Sequence, residues 1–236
     1  MFIEFRLLPY TIFIIKNAII KLGSGWSYTI ICGNNNFDFY NNFKKEYGLN
    51  IKIIKLNLNN ITREEYSILL LNSNFYNHFL GEYILIYQED SIIFKNFDNK
   101  FLDYDYIGAP YFNKEIGNGG FSLRNKRVMK IVCKRFFDEN IKYMEKNVRL
   151  LKELKTDNDF YKSKENLKYY KIEQSIIEDI QITNRMKNYN IGNLPDFETG
   201  KEFSIEKYYH PKAFGGHQFW FTIKDVKLFL DEKLGY

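Results

Sequence analysis

Between Ser27 and Tyr87 the chain alternates short β-branched runs with stretches of helical periodicity. Ser27–Cys32 (SYTIIC) and Ile51–Leu56 (IKIIKL) read as buried strands, and Phe37–Tyr47 as a helix closed by Gly48. Thr62, with Glu65 three residues on, forms a capping box that opens a helix to about Leu71. Glu82–Tyr87 (EYILIY) is the clearest strand. Strand, helix, strand, helix, strand in this order predicts an α/β fold: one Rossmann-like domain with a mainly parallel central sheet flanked by helices. Such sheets bind ligands at the carboxyl ends of their strands. The polar group that follows EYILIY, Gln88-Glu89-Asp90-Ser91, therefore stands where chemistry is expected.

The rest of the chain adds to one domain spanning 1–236. Tyr10–Leu22 carries apolar residues at helical spacing and stops at Gly23-Ser24-Gly25. Asp103–Phe112 (DYDYIGAPYF) holds a strand ending at Gly108 and Pro110. Gly117-Asn118-Gly119-Gly120 then turns into FSLR and a helix from about Lys126 to Phe137. A charged helical excursion is expected at about 138–172, followed by a helix from Glu178 to about Lys187. Glu202–Ile205 and Phe214–Phe221 read as extended, and Lys224–Leu234 as a closing helix.

Composition narrows the function classes. With 45% apolar and 18% aromatic residues the chain can bury a full core, which excludes a disordered segment. A net charge of +5 is modest, and 34 basic residues are interleaved with 29 carboxylates, so no nucleic-acid footprint is expected. Leu7–Leu22 is interrupted by Pro9, Lys16 and Asn17 and is too short for a membrane span. Glu4 and Arg6 argue against a signal peptide. The two cysteines, Cys32 and Cys133, lack metal-site spacing and read as buried thiols of a reducing, cytoplasmic compartment.

Four groups can carry chemistry. Gln88-Glu89-Asp90 suits a divalent cation, since Mg²⁺ and Mn²⁺ take oxygen ligands and often only one or two carboxylates; turn or cap residues are the alternative. His217, after Gly215 and Gly216, is a hydrogen-bonded core histidine or a metal ligand that joins Asp90 in space. Glu178-Asp179 opens a helix, where carboxylates cap and complement the dipole, or else supply a general base. Gly117-Asn118-Gly119-Gly120 is no Walker loop, and makes either a hairpin or a place where backbone approaches a bulky ligand.

These motifs occur in a specific order. EFRLLPY, WSYTIICGNNN, LIYQEDSIIF, FLDYDYIGAPYF, GNGGFSLRNK, EDIQITNRM, PDFETGKEFSIE and FGGHQFW together run from about residue 4 to residue 220. The set resembles an uncharacterised family of glycosyltransferase-like proteins with the GT-A fold. The resemblance implies a sugar transferred from a nucleoside diphosphate donor, UDP-linked, to a glycan or other hydroxyl acceptor, with inversion. It implies Mn²⁺ or Mg²⁺ on Asp90 and His217, with Gln88 standing where the first acid of a DxD motif is usual. Asp179 is implied as the base, with Glu178 orienting it or the acceptor. Gly119 and Gly120 are implied as the wall between donor and acceptor, and Cys32, Gly33 and Asn34 as neighbours of the base and ribose. A nucleotide- or carbohydrate-binding relic without turnover is the alternative.

Overall fold

The computed structural model describes residues 1–140 and 176–234. The excursion expected at about 138–172 falls almost wholly outside these. In chain order the elements are β1 (Phe2–Ile3), α1 (Thr11–Leu22), β2 (Tyr28–Cys32), α2 (Phe37–Glu46), β3 (Ile51–Lys55) and α3 (Arg63–Leu70). Next come β4 (Tyr83–Tyr87), β5 (Ser91–Ile93), β6 (Tyr106–Gly108), β7 (Phe121–Asn125) and α4 (Lys126–Glu139). After the gap follow α5 (Glu178–Tyr189), α6 (Phe197–Phe203), β8 (Ser204–Ile205), β9 (Gly215–His217) and α7 (Val226–Leu234).

The capping box is formed as expected. Thr62 accepts from the Glu65 N–H at 3.1 Å and the Glu65 carboxylate accepts from the Thr62 N–H at 2.9 Å.

Six strands form the main sheet in the order β3-β2-β1-β4-β7-β6. Both faces are covered. Ile84 and Ile86 of β4 face a cluster with α3, α4 and α5 (Ile68, Leu69, Val132, Ile182), whereas Leu85 and Tyr87 face α1 and α2 (Ile14, Ala18, Tyr40, Phe43). Successive side chains of a strand point to opposite faces, so a doubly covered strand tends to be apolar on both, as YILIY of β4 is.

The sheet is mixed rather than mainly parallel, which corrects the expectation. β3, β2, β1 and β4 run parallel, but β7 is antiparallel to both β4 and β6. A parallel return needs a crossover, usually through a helix. Residues 109–120 make only turns and an isolated Pro110–Ile116 bridge, so β7 comes back beside β6 as a hairpin. β1, a central strand of two residues, was not expected at all. Two further readings hold only in part. Of Glu202–Ile205 only Ser204–Ile205 is strand, Glu202 and Phe203 ending the helix Phe197–Phe203 that Asp196 caps by accepting from the Thr199 N–H at 2.8 Å. Phe214–Phe221 is a strand only at Gly215–His217.

β5, β9 and β8 form a second sheet that leaves the end of β4. Its register pairs Ser91 with His217, which sets the histidine beside Asp90 although the two lie far apart in sequence. Among the described residues no helix is long and apolar enough to cross a membrane.

Candidate functional site

The strand order reverses between β1 and β4: β2 and β3 lie on one side of β1, and the chain then crosses back to lay β4 on the other. Ligands of open α/β sheets bind at such a switch point, outside the carboxyl ends of the strands. Gln88-Glu89-Asp90 is the turn that leaves β4 there. Its backbone is fixed by the Ser91 N–H donating to the Gln88 carbonyl at 3.1 Å and the Gln88 N–H donating to the Gly120 carbonyl at 3.0 Å.

Asp90 and His217 meet. Asp90 Oδ2 accepts from the Gln218 side-chain amide at 2.8 Å, which leaves Oδ1 aimed at His217 Nε2, 3.2 Å away. Both atoms are buried, and the approach lies outside hydrogen-bond geometry, so neither has a hydrogen bond among the described residues. On its other side His217 Nδ1 lies 3.3 Å from Glu206 Oε2. Burial works to lower the His217 pKa, but the carboxylates of Asp90 and Glu206 on either side outweigh it and push it up to about 9. Burial likewise raises Asp90, and the nearby His217 imidazole with the Gln218 hydrogen bond more than reverses this, holding its carboxyl below the usual range.

Two donors facing each other at 3.2 Å suit a shared cation. Adjacent ligands on an octahedral ion with bonds of about 2.1 Å stand roughly 3 Å apart. Carboxylate plus imidazole is a donor set that Mn²⁺ accepts. Among the described residues no group of three or more His, Cys, Asp or Glu side chains converges on one point, so the protein would supply two ligands.

Gly119 and Gly120 separate this pair from the acidic residues of α5. A Cβ at Gly120 would stand 2.6 Å from the imidazole Cδ2 and Cε1 of His217. A Cβ at Gly119 would stand 2.9 Å from Arg124 Nη2 and 3.1 Å from Asp179 Cβ. Only backbone without side chains fits between them. The Gly119 N–H donates to Asp179 Oδ2 at 2.8 Å, and the Ile180 N–H donates to Oδ1 at 2.7 Å.

Glu178 turns the other way, into the core. Its Oε1 pairs with Arg124 Nη2 at 3.2 Å and its Oε2 accepts from the Ser67 hydroxyl at 3.3 Å. Arg124 is wholly buried: its Nε donates to Ser122 Oγ at 3.0 Å and its guanidinium lies 5.2 Å from the centre of the Tyr106 ring. Burial and the neighbouring Asp179 raise the Glu178 carboxyl, and Arg124 offsets part of that. The Tyr111 hydroxyl, buried and without a hydrogen-bond partner among the described residues, is pushed well up by burial and then by the charges of Asp179 and Glu178 around it.

A cleft of 310 Å³ opens beside the turn, lined among others by Arg6, Asn60, Thr62, Arg63, Gln88 and Glu89. Arg6 forks onto Glu4 at 2.8 and 2.7 Å and also pairs with Glu89. Cys32, Gly33 and Asn34 do not line it. The Cys32 thiol is in the core, raised to about 11 by burial; Gly33 sits under the Phe5 ring, and Asn34 is exposed beside Asn57 and Asn59. Clefts of 340 and 570 Å³ at the other ends of the strands, around Trp26, Ser27 and Thr29, bring together no acidic–histidine pair.

Glu206, Arg124 and Arg6 were not singled out from the sequence. For Arg124 a signal exists: FSLRN alternates Phe and Leu with Ser and Arg, and a strand buried on both faces must bury the polar pair too.

The fold and site thus define an α/β protein with a mixed sheet and an Asp–His pair at its switch point. Within that class the chain belongs to the DUF5672 family, described as a protein of unknown function, whose profile matches residues 50–217, more than half of the chain. The match takes in Gln88-Glu89-Asp90, the glycine wall and Glu178-Asp179, and ends at His217. No curated protein matches the chain.

Proposed function

We propose that this chain is a single-domain, GT-A-like glycosyltransferase that moves a sugar from a UDP-linked donor to a hydroxyl acceptor with inversion. The observation that carries the reading is the Asp90 Oδ1–His217 Nε2 pair, buried, free of hydrogen bonds among the described residues and 3.2 Å apart at the switch point. Asp90 and His217 would hold Mn²⁺ or Mg²⁺, which when bound neutralises charge on the leaving diphosphate. Gln88 and Glu89 border the cleft that would take the nucleotide.

Across the glycine wall, Asp179 takes the proton of the acceptor hydroxyl as that oxygen bonds the anomeric carbon. The bond from that carbon to the diphosphate oxygen breaks, and its electron pair leaves with the nucleotide. Each Asp179 oxygen already accepts one backbone N–H but keeps a further lone pair for the proton. Glu178, committed to Arg124 and Ser67, serves to hold the helix end in place instead of touching the acceptor. Cys32 and Cys133 are both unpaired and buried, which suits a reducing compartment such as the cytoplasm.

A second reading, a binding relic without turnover, is favoured by one observation. With its pKa raised to about 9, His217 is an imidazolium between Asp90 and Glu206, an ion-pair clamp that needs no metal. The two readings separate on donor hydrolysis. A panel of UDP-sugars with Mn²⁺ and no acceptor should release UDP slowly, and EDTA should stop the release. Tight UDP binding with no release from any donor would leave the relic.

A further inference from the structure

We propose that Glu206 is a positioning residue that keeps the His217 proton on Nδ1 and so leaves Nε2 free to bind the cation. This rests on the metal reading of Asp90 and His217 and extends it to a residue outside the cleft. A neutral imidazole carries one proton on either nitrogen, and only the bare nitrogen ligates a metal. A proton on Nε2 would occupy the lone pair that the cation needs.

The second sheet decides which nitrogen is bare. β8 runs parallel to β9 with Ile205 opposite Gly216, so Glu206 follows one step beyond that pair, beside His217. Its Oε2 lies 3.3 Å from Nδ1, on the side of the ring away from Asp90. A carboxylate there can only accept, and its approach has the hydrogen-bond geometry that the Asp90–Nε2 approach lacks, so Nδ1 keeps its proton when Nε2 gives way to a cation.

Glu206 is itself held in place. It is 5% exposed, Lys207 Nζ lies 3.4 Å from its Oε1, and the Thr222 hydroxyl donates to its backbone carbonyl. At the Nε2 edge of the imidazole the absence of a side chain at Gly120 makes room for the ring: a Cβ there would stand 2.6 Å from Cδ2 and Cε1. Carboxylates that orient a ligating histidine in this way govern both its tautomer and its basicity.

The test titrates MnCl₂ into the full chain in the presence of UDP, reading free Mn²⁺ by electron paramagnetic resonance. Glu206→Leu should weaken Mn²⁺ binding by roughly 10- to 100-fold. Glu206→Gln, which can still accept from Nδ1, should recover much of that loss. Co²⁺ with UDP on the wild-type chain supplies a readout that no variant's folding affects. The proposal requires one exchangeable, hyperfine-shifted imidazole N–H in the proton spectrum, from Nδ1 of a histidine bound through Nε2.

Unchanged Mn²⁺ affinity in a folded Glu206→Leu, or Co²⁺ bound at His217 without that N–H, overturns this inference and leaves the metal site standing. A wild-type chain that binds neither ion overturns the metal reading and the inference with it.

Discussion

Asp179→Asn should reduce sugar transfer by about 10³-fold, the usual scale for loss of a general base, with UDP binding nearly unchanged. The amide cannot take a proton at neutral pH, while the donor side of the glycine wall is untouched. Asp179 Oδ2 and Oδ1 accept from the Gly119 and Ile180 N–H groups at 2.8 and 2.7 Å. An Asn has one acceptor oxygen, so one of those N–H groups loses its partner, and stability should fall by roughly 1–3 kcal/mol. Turnover per folded molecule is therefore the quantity to measure, with the thermal midpoint as a control. Wild-type turnover in the variant would remove Asp179 from the mechanism.

Arg124→Leu should destabilise the fold by about 3–5 kcal/mol, because it leaves a buried carboxylate without its counter-charge. Arg124 is fully buried against Tyr106 and pairs with Glu178 at 3.2 Å. Burial and Asp179 already raise the Glu178 carboxyl, and without Arg124 the main opposing charge is gone, so Glu178 should take up a proton on folding. Adding Glu178→Met removes the stranded group, and the double variant should be more stable than Arg124→Leu alone. Urea unfolding of the two variants and the wild type measures this directly. Equal stability of single and double variants would mean that the pair does not hold the helix end carrying Asp179.

The physical reach of sequence patterns explains what could be anticipated. EYILIY, SYTIIC and the Thr62–Glu65 box are local signals, and each forms the element expected. β1 has two residues, too few to show a period, yet it is the strand at which the order reverses. FSLRN shows a strand but not its direction, which depends on the turns at 109–120 that precede it.

For the site the same division holds. Asp90 is legible as an acid after a strand, and His217 as a histidine after two glycines. Their 3.2 Å approach depends on β5 pairing with β9, a contact between segments more than a hundred residues apart. Glu206 carries no local mark, since a glutamate after a two-residue strand has no diagnostic spacing. Cys32 and Gly33 follow a strand as a ligand loop would, but packing against Ile54 and Phe5 turns them inward.

The central claim is a cation held by Asp90 and His217 for a nucleoside diphosphate, and calorimetric titration of UDP with Mn²⁺ and again with EDTA tests it most directly. The account predicts binding that needs Mn²⁺ and that disappears in both Asp90→Ala and His217→Ala. Equal binding with EDTA, or no heat from UDP, GDP or dTDP under either condition, would contradict it.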